Sequence, residues 1–157
     1  MKKYLFVFAA MLFMVGLTSG AYAATKTDAV PVSATVAANC TITGGSIAFG
    51  TVDAVTNASG ATATVVNPTI KCTKGASVAV TDDMGANEAS SGVAPARMKN
   101  GSDYIEYSFT YTTPLTGTGL GNDIGSTLSL AATIAAGKLD NAAAGSYSDT
   151  LTLTITY

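Results

Sequence analysis

The chain contains no histidine and no tryptophan, only two cysteines, and few charges, 11% of its 157 residues. Without histidine there is no Ser-His or Cys-His pair to activate a nucleophile, which removes most hydrolytic mechanisms. Two sulfur atoms and no imidazole leave zinc without a ligand set. Paired-carboxylate catalysis has Asp82 with Asp83 and Asp103 with Glu106 as its neighbours in sequence. On a strand, positions 103 and 106 point to opposite faces, so proximity along the chain does not bring that pair into one cleft. Calcium has oxygen donors at Asp82, Asp83, Asn87 and Glu88, but they do not recur at alternate positions as a calcium loop requires. No catalytic residue, cofactor or metal site is therefore expected.

Long apolar runs are scarce too. The N-terminal one, Tyr4 to Leu17, spans 14 residues, which is short for a membrane span. Lys2 and Lys3 precede it and Ala21-Tyr22-Ala23 follows, the layout of a secretory signal peptide over residues 1–23, cleaved after Ala23 or Ala24. Its removal leaves about 134 residues, enough for one domain with a real core. Six basic residues then face ten acidic ones, a net charge of −4. A weakly acidic surface with no basic cluster argues against nucleic acid and anionic membrane as partners. Cys40 and Cys72 both lie in the exported part, where a disulfide is the default and two free thiols the alternative. Closing a loop with that separation of 32 is worth roughly 3.5 to 4 kcal/mol in the chain-entropy account.

What remains is rich in Thr, Ala, Val, Gly, Ser and Asn, the composition of short antiparallel strands joined by tight turns. Alternation and turn residues place strands at Val32–Ala38, Cys40–Thr43, Ile47–Val52, Thr62–Cys72, Ser77–Thr81, Ala96–Lys99, Tyr104–Tyr111, Thr127–Ala135 and Ser148–Ile155. Pro68 bulges or splits the fourth, because proline cannot donate to a ladder. Gly44-Gly45, Lys74-Gly75, Asn100-Gly101 and Ala144-Gly145 mark turns. This series implies an all-β sandwich of immunoglobulin-like type. Asp82–Pro95 and Pro114–Ser126 read as irregular surface excursions. Ile105, Tyr107, Phe109 and Tyr111 share a face and fill the core, leaving Tyr104 on the other face as an exposed aromatic that suits a sugar contact.

The two ends carry the functional argument. Val30, Val32, Ala34 and Val36 alternate on one face of a segment with no hairpin partner nearby, and Leu151, Leu153, Ile155 and Tyr157 alternate up to the last residue given. A sheet domain that stops without its last strand and carries a detachable strand in front is expected to be completed by another copy of itself, as a structural polymer subunit and not an enzyme.

The pieces VSATVAANC (Val32–Cys40), IAFGTVD (Ile47–Asp53), NPTIKCTKG (Asn67–Gly75) and GSYSDTLTLTITY (Gly145–Tyr157) resemble the spore coat protein U domain family, the subunit type of archaic chaperone-usher pili. The resemblance implies an incomplete immunoglobulin-like β-sandwich lacking its last strand, completed by donor-strand insertion from another subunit. It implies a periplasmic chaperone and an outer-membrane usher as partners, a homopolymer at the cell surface, adhesion and biofilm formation, and no small-molecule substrate. On this view residues 24–36 are the donor extension, with Val30, Val32, Ala34 and Val36 as anchors, and residues 37–157 are the pilin domain. Leu151, Leu153 and Ile155 then line the acceptor groove. Two other readings stay open: a self-contained secreted coat or matrix protein whose N-terminal strand closes its own sandwich, and a small sugar-binding module built on Tyr104 and the long loops.

Overall fold

The structure, a computed structural model, describes residues 23–90 and 94–157. The expected signal peptide lies almost entirely outside them. The chain separates into two units, Met1–Thr35 and Val36–Tyr157. In the first, the described residues carry no strand, and Val30 and Val32 are 83% and 93% exposed. The strand expected at Val32–Ala38 is absent, since an isolated extended segment has no neighbour to satisfy its backbone groups.

The second unit is all-β. Its strands are β1 (Cys40–Thr43), β2 (Ser46–Ala48), β3 (Gly60–Thr62), β4 (Thr64–Val66), β5 (Thr69–Cys72), β6 (Ser77–Asp82), β7 (Ala96–Asn100), β8 (Asp103–Thr110), β9 (Leu115–Thr116), β10 (Ala131–Ala135) and β11 (Leu153–Thr156). Every strand pairing among the described residues is antiparallel. One sheet runs β3-β10-β8-β7, another β11-β6-β9, and β1-β5 and β2-β4 form two short ribbons. Those ribbons continue one another: Thr43 faces Thr69 and Ser46 faces Val66, with Gly44-Gly45 opposite Asn67-Pro68 at the break. Pro68, with no amide to donate, separates β4 from β5 on one side of the break. On the other, Gly45 has φ +98° and a Cβ there would lie 3.2 Å from the Pro68 nitrogen, so the close crossing needs glycine.

Two apolar clusters fill the interior. Ile70, Cys72, Val78, Val80, Leu115 and Leu128 belong to one, and Ala96, Ile105, Tyr107, Ile134 and Leu139 to the other, with Phe109 packed against both. Their two-residue spacing on β5, β6, β8 and β10 puts alternate side chains inward, as facing sheets of a sandwich require. Cys40 and Cys72 form a disulfide with Cα atoms 4.2 Å apart, tying the start of β1 to the end of β5.

Several expected boundaries move. Only Ala131–Ala135 of the strand expected at Thr127–Ala135 is extended, and Gly125–Leu128 is a 3₁₀ turn. Side-chain bonds replace the ladder there: the nearby Asp123 Oδ1 accepts from the amides of Ile70 and Gly125, and Asn67 Oδ1, remote in sequence, accepts from that of Leu130. The strand expected at Ile47–Val52 stops at Ala48, because Asp53 gathers the amides of Val55 and Thr56 into a turn. Leu115–Thr116, inside a stretch expected to be irregular, pairs with Ser77–Val78 as β9.

Candidate functional site

The interior is closed unevenly. Every buried residue among those described lies between Pro68 and Leu139. The inward positions of the first and last strands, Ile42 on β1, Ile47 on β2, and Leu153 and Ile155 on β11, reach only half burial although all four pack against the main cluster. Their partners on β5 and β6, Ile70 opposite Ile42 and Val80 opposite Ile155, are buried. Between these two walls lies a groove of ≈ 630 Å³ whose apolar lining includes Ile42, Ile47, Phe49, Leu130, Leu151 and Leu153. Among the described residues β1 pairs only with β5, and β11 only with β6, so each presents one unpaired backbone edge. Polar groups of Thr43, Ser46, Ser148, Asp149 and Thr152 share the lining, and a trough that leaves these apolar side chains open between two free edges exposes both kinds of surface that folded proteins normally cover.

The two walls run in opposite directions. At one end the Tyr157 hydroxyl stands 3.5 Å from Asn39 Oδ1, and Asn39 exchanges bonds with Thr73, accepting from its amide at 2.9 Å and donating to its Oγ1 at 3.0 Å. At the other end the groove is lined by Phe49, Tyr147 and Asp149. The Asn39 end is also where the chain enters β1, beside the Thr73–Gly75 turn.

Carboxylates hold the start of the last segment. The strand expected at Ser148–Ile155 is extended only over Leu153–Thr156. Upstream, Ser148 pairs with Lys99 of β7, and the regular ladder from β6 gives way to isolated backbone bonds, from the amides of Asp83 and Ala86 to the carbonyls of Thr152 and Thr150, supplemented by side-chain bonds. Asp83 Oδ1 accepts from the Thr152 amide at 2.9 Å, and Asp149 Oδ1 accepts from Asn87 Nδ2 at 2.9 Å. Asp149 Oδ2 accepts from the Tyr107 hydroxyl at 2.8 Å, and Asp82 Oδ2 from that of Tyr111 at 2.6 Å. Hydrogen bonds from Thr152, side chain then backbone, hold the Asp83 carboxyl below its ordinary value. Burial first, and the Asp149 carboxylate second, push the Tyr107 hydroxyl upward. Burial and the bond to Asp82 push that of Tyr111 up to about 12. Asp82, Asp83, Asn87 and Asp149 are thus engaged in fastening a groove wall. Among the described residues no group of three or more metal-ligating side chains forms.

Of the residues singled out in the sequence, Leu151 and Leu153 line the groove, while Ile155 packs on the main cluster beyond it. Val30, Val32 and Val36 are strongly exposed, at 81% or more. Ile42, Ile47, Phe49 and Leu130 were not singled out. CTITGGSIAF does carry the alternation for the first two, but the glycine pair divides it into pieces too short to read as one wall. Tyr104 is 40% exposed, with the Arg97 guanidinium 4.3 Å from its ring centre, so one face of the ring is already occupied by a cation.

Residues 26–154 match the family model described as the Spore Coat Protein U domain. A search of curated proteins returned no match.

Proposed function

Because this chain belongs to the Spore Coat Protein U domain family, we propose that it is a structural subunit of an archaic chaperone-usher pilus, polymerising head to tail by donor-strand exchange. The observation that carries this reading is the open groove, with half-buried inward residues and a free strand edge on each side. A strand laid between β1–β2 and residues 151–156 pairs with both edges and turns two ribbons and a three-stranded sheet into one continuous layer. Strand addition of this kind, pilin donor-strand complementation included, is an established mode of peptide recognition.

The donor is residues 24–36 of another copy, with Val30, Val32, Ala34 and Val36 entering the groove and residues 37–157 forming the acceptor domain. Each valine buried fully contributes roughly 1.5–3 kcal/mol before ordering costs, and main-chain pairing adds to this. Exposed apolar alternation is what such a segment must carry before it is used. Direction follows from the antiparallel walls. A donor antiparallel to β11 leaves the acceptor at its Asp149 end, opposite the Asn39 end from which the acceptor's own extension departs. Links at opposite ends give an open filament, and links at one end do not.

Before assembly the groove needs covering, which is the role assigned to a periplasmic chaperone, with an outer-membrane usher handing subunits to the fibre. The Cys40–Cys72 disulfide suits that oxidising route to the cell surface, where the fibre serves adhesion and biofilm formation. The role is structural, with no reaction catalysed. Deleting Thr25 to Val36 tests the reading: the truncated protein should bind a synthetic peptide of residues 24–38 and form no fibres. Fibres from it, or a folded protein that takes up no peptide, would overturn it. A wild-type monomer that is protected from hydrogen exchange at residues 30–36 would favour the self-closing coat protein instead.

A further inference from the structure

The second unit is electrically lopsided along the groove direction. At the end where the chain enters β1 the side-chain charges are Lys71, Lys74 and Asp123; Asp123 accepts from the amides of Ile70 and Gly125 and its charge is offset by Lys71, which leaves Lys74 as the uncompensated one. Lys74 sits at the tip of the Thr73–Gly75 turn, exposed, and forms no ion pair among the described residues.

The opposite end gathers acids. Asp53 lies in the turn after β2, Asp103 at the start of β8, Asp140 in the turns after β10 and Asp149 at the groove mouth, besides the carboxylates of the 82–88 loop. The bases there are Arg97, Lys99 and Lys138, of which Lys138 is paired with Glu106, and Arg97 donates to the carbonyls of Asn87 and Glu88.

Resting on the donor-strand reading, we infer that the basic end of each subunit docks against the acidic end of the copy that accepts its extension, with Lys74 facing Asp103 and Asp140. Two lengths carry the step. Between the last proposed anchor, Val36, and the first residue of β1, Cys40, the chain spans at most about 14 Å when fully extended. Exposed charges attract over a Debye length of about 8–10 Å near physiological salt. Subunits joined by so short a tether hold these two ends within mutual reach. The partner is a second copy of this chain, and the complementarity orients the incoming subunit and raises its rate of capture.

The test uses purified mature protein, refolded from denaturant, with polymerisation followed by light scattering and sedimentation at about 30 mM and at about 500 mM salt. Uptake of the 24–38 peptide is measured in parallel on the protein lacking Thr25 to Val36. Lys74→Glu should slow full-length assembly about threefold or more at low salt, with little difference at high salt, while the same substitution in the truncated protein leaves peptide uptake unchanged. Asp103→Lys with Asp140→Lys should slow assembly likewise, and the triple variant should recover it. Peptide uptake with identical assembly rates for wild type and Lys74→Glu overturns the end-to-end contact and leaves the donor strand standing. Failure of the truncated wild-type protein to take up peptide overturns both.

Discussion

At the scale of single residues, the positions that matter most hold the last segment in place. Tyr107 is 5% exposed and its hydroxyl serves Asp149, so Tyr107→Phe keeps the ring and strips from that carboxylate one of its two side-chain donors among the described residues. The expected loss is about 1–2 kcal/mol by urea denaturation, with the largest rise in amide exchange at residues 148–152. Gly85 has φ +91° and a Cβ there would lie 2.1 Å from Asp149 Oδ2. Gly85→Ala should therefore cost about 1–3 kcal/mol in backbone strain alone and displace the same carboxylate. The pH dependence follows from shifts of opposite sign. Asp53, Asp83 and Asp123 all titrate below their ordinary 3.8, so their contribution is complete above that value and drains away as pH falls through the lowered ones. Tyr111 is raised from 10 to about 12, so what it contributes is complete below pH 10 and is lost as pH rises toward 12. Thermal denaturation from pH 2 to 5 should show the acid limb, flattened in Asp83→Asn.

At the scale of elements, short strands leave each wall dependent on few bonds. β1 has four residues, one partner strand and a disulfide at its first position. Replacing Cys40 and Cys72 with serine should lower stability by about 2–5 kcal/mol, and hydrogen exchange at residues 40–48 should rise before that of β6 or β8. The strands best read from sequence were those with an unbroken two-residue alternation over a closed core: Ser77–Asp82, Asp103–Thr110 and Ala96–Asn100 appear within a residue or so of expectation. Two of the misread ones share a cause. At Thr127–Leu130 and Ser148–Thr152 the apolar spacing is intact, but side chains distant in sequence, Asn67 and Asp83, take the amides of Leu130 and Thr152 that a ladder would have used. No local pattern announces such a competitor. Pro68 was legible as a break, whereas the need for Gly45 facing it required the register.

At the scale of the whole molecule, the groove predicts a linkage that can be weighed. On the protein lacking Thr25 to Val36, a 24–38 peptide at 100 times its dissociation constant should add about 2.7 kcal/mol, which raises the melting temperature by on the order of 10 °C for a domain of this size. A peptide carrying Val32→Asp should give little or none of this, since a carboxylate facing Ile42, Leu130 and Leu153 is desolvated without a partner and meets the negative Asp149 at the mouth. Calorimetry of the two mixtures separates insertion from loose adhesion.

The sequence by itself determined the all-β class, the exclusion of histidine- and zinc-dependent chemistry, the cysteine pair, and the presence of unpartnered alternation at both ends. These are properties of residue type and of a period of two, and they survive without knowledge of what touches what. Only the tertiary structure decided that Ile42, Ile47, Phe49 and Leu130 share one trough with Leu151 and Leu153. It alone decided that the walls run antiparallel, and that most of the acids gather at one end of the domain while Lys71 and Lys74 lie at the other. The physical reason is that openness is a relation between strands remote in sequence: each half-buried isoleucine looks locally like any other core residue, and only the missing neighbour distinguishes it.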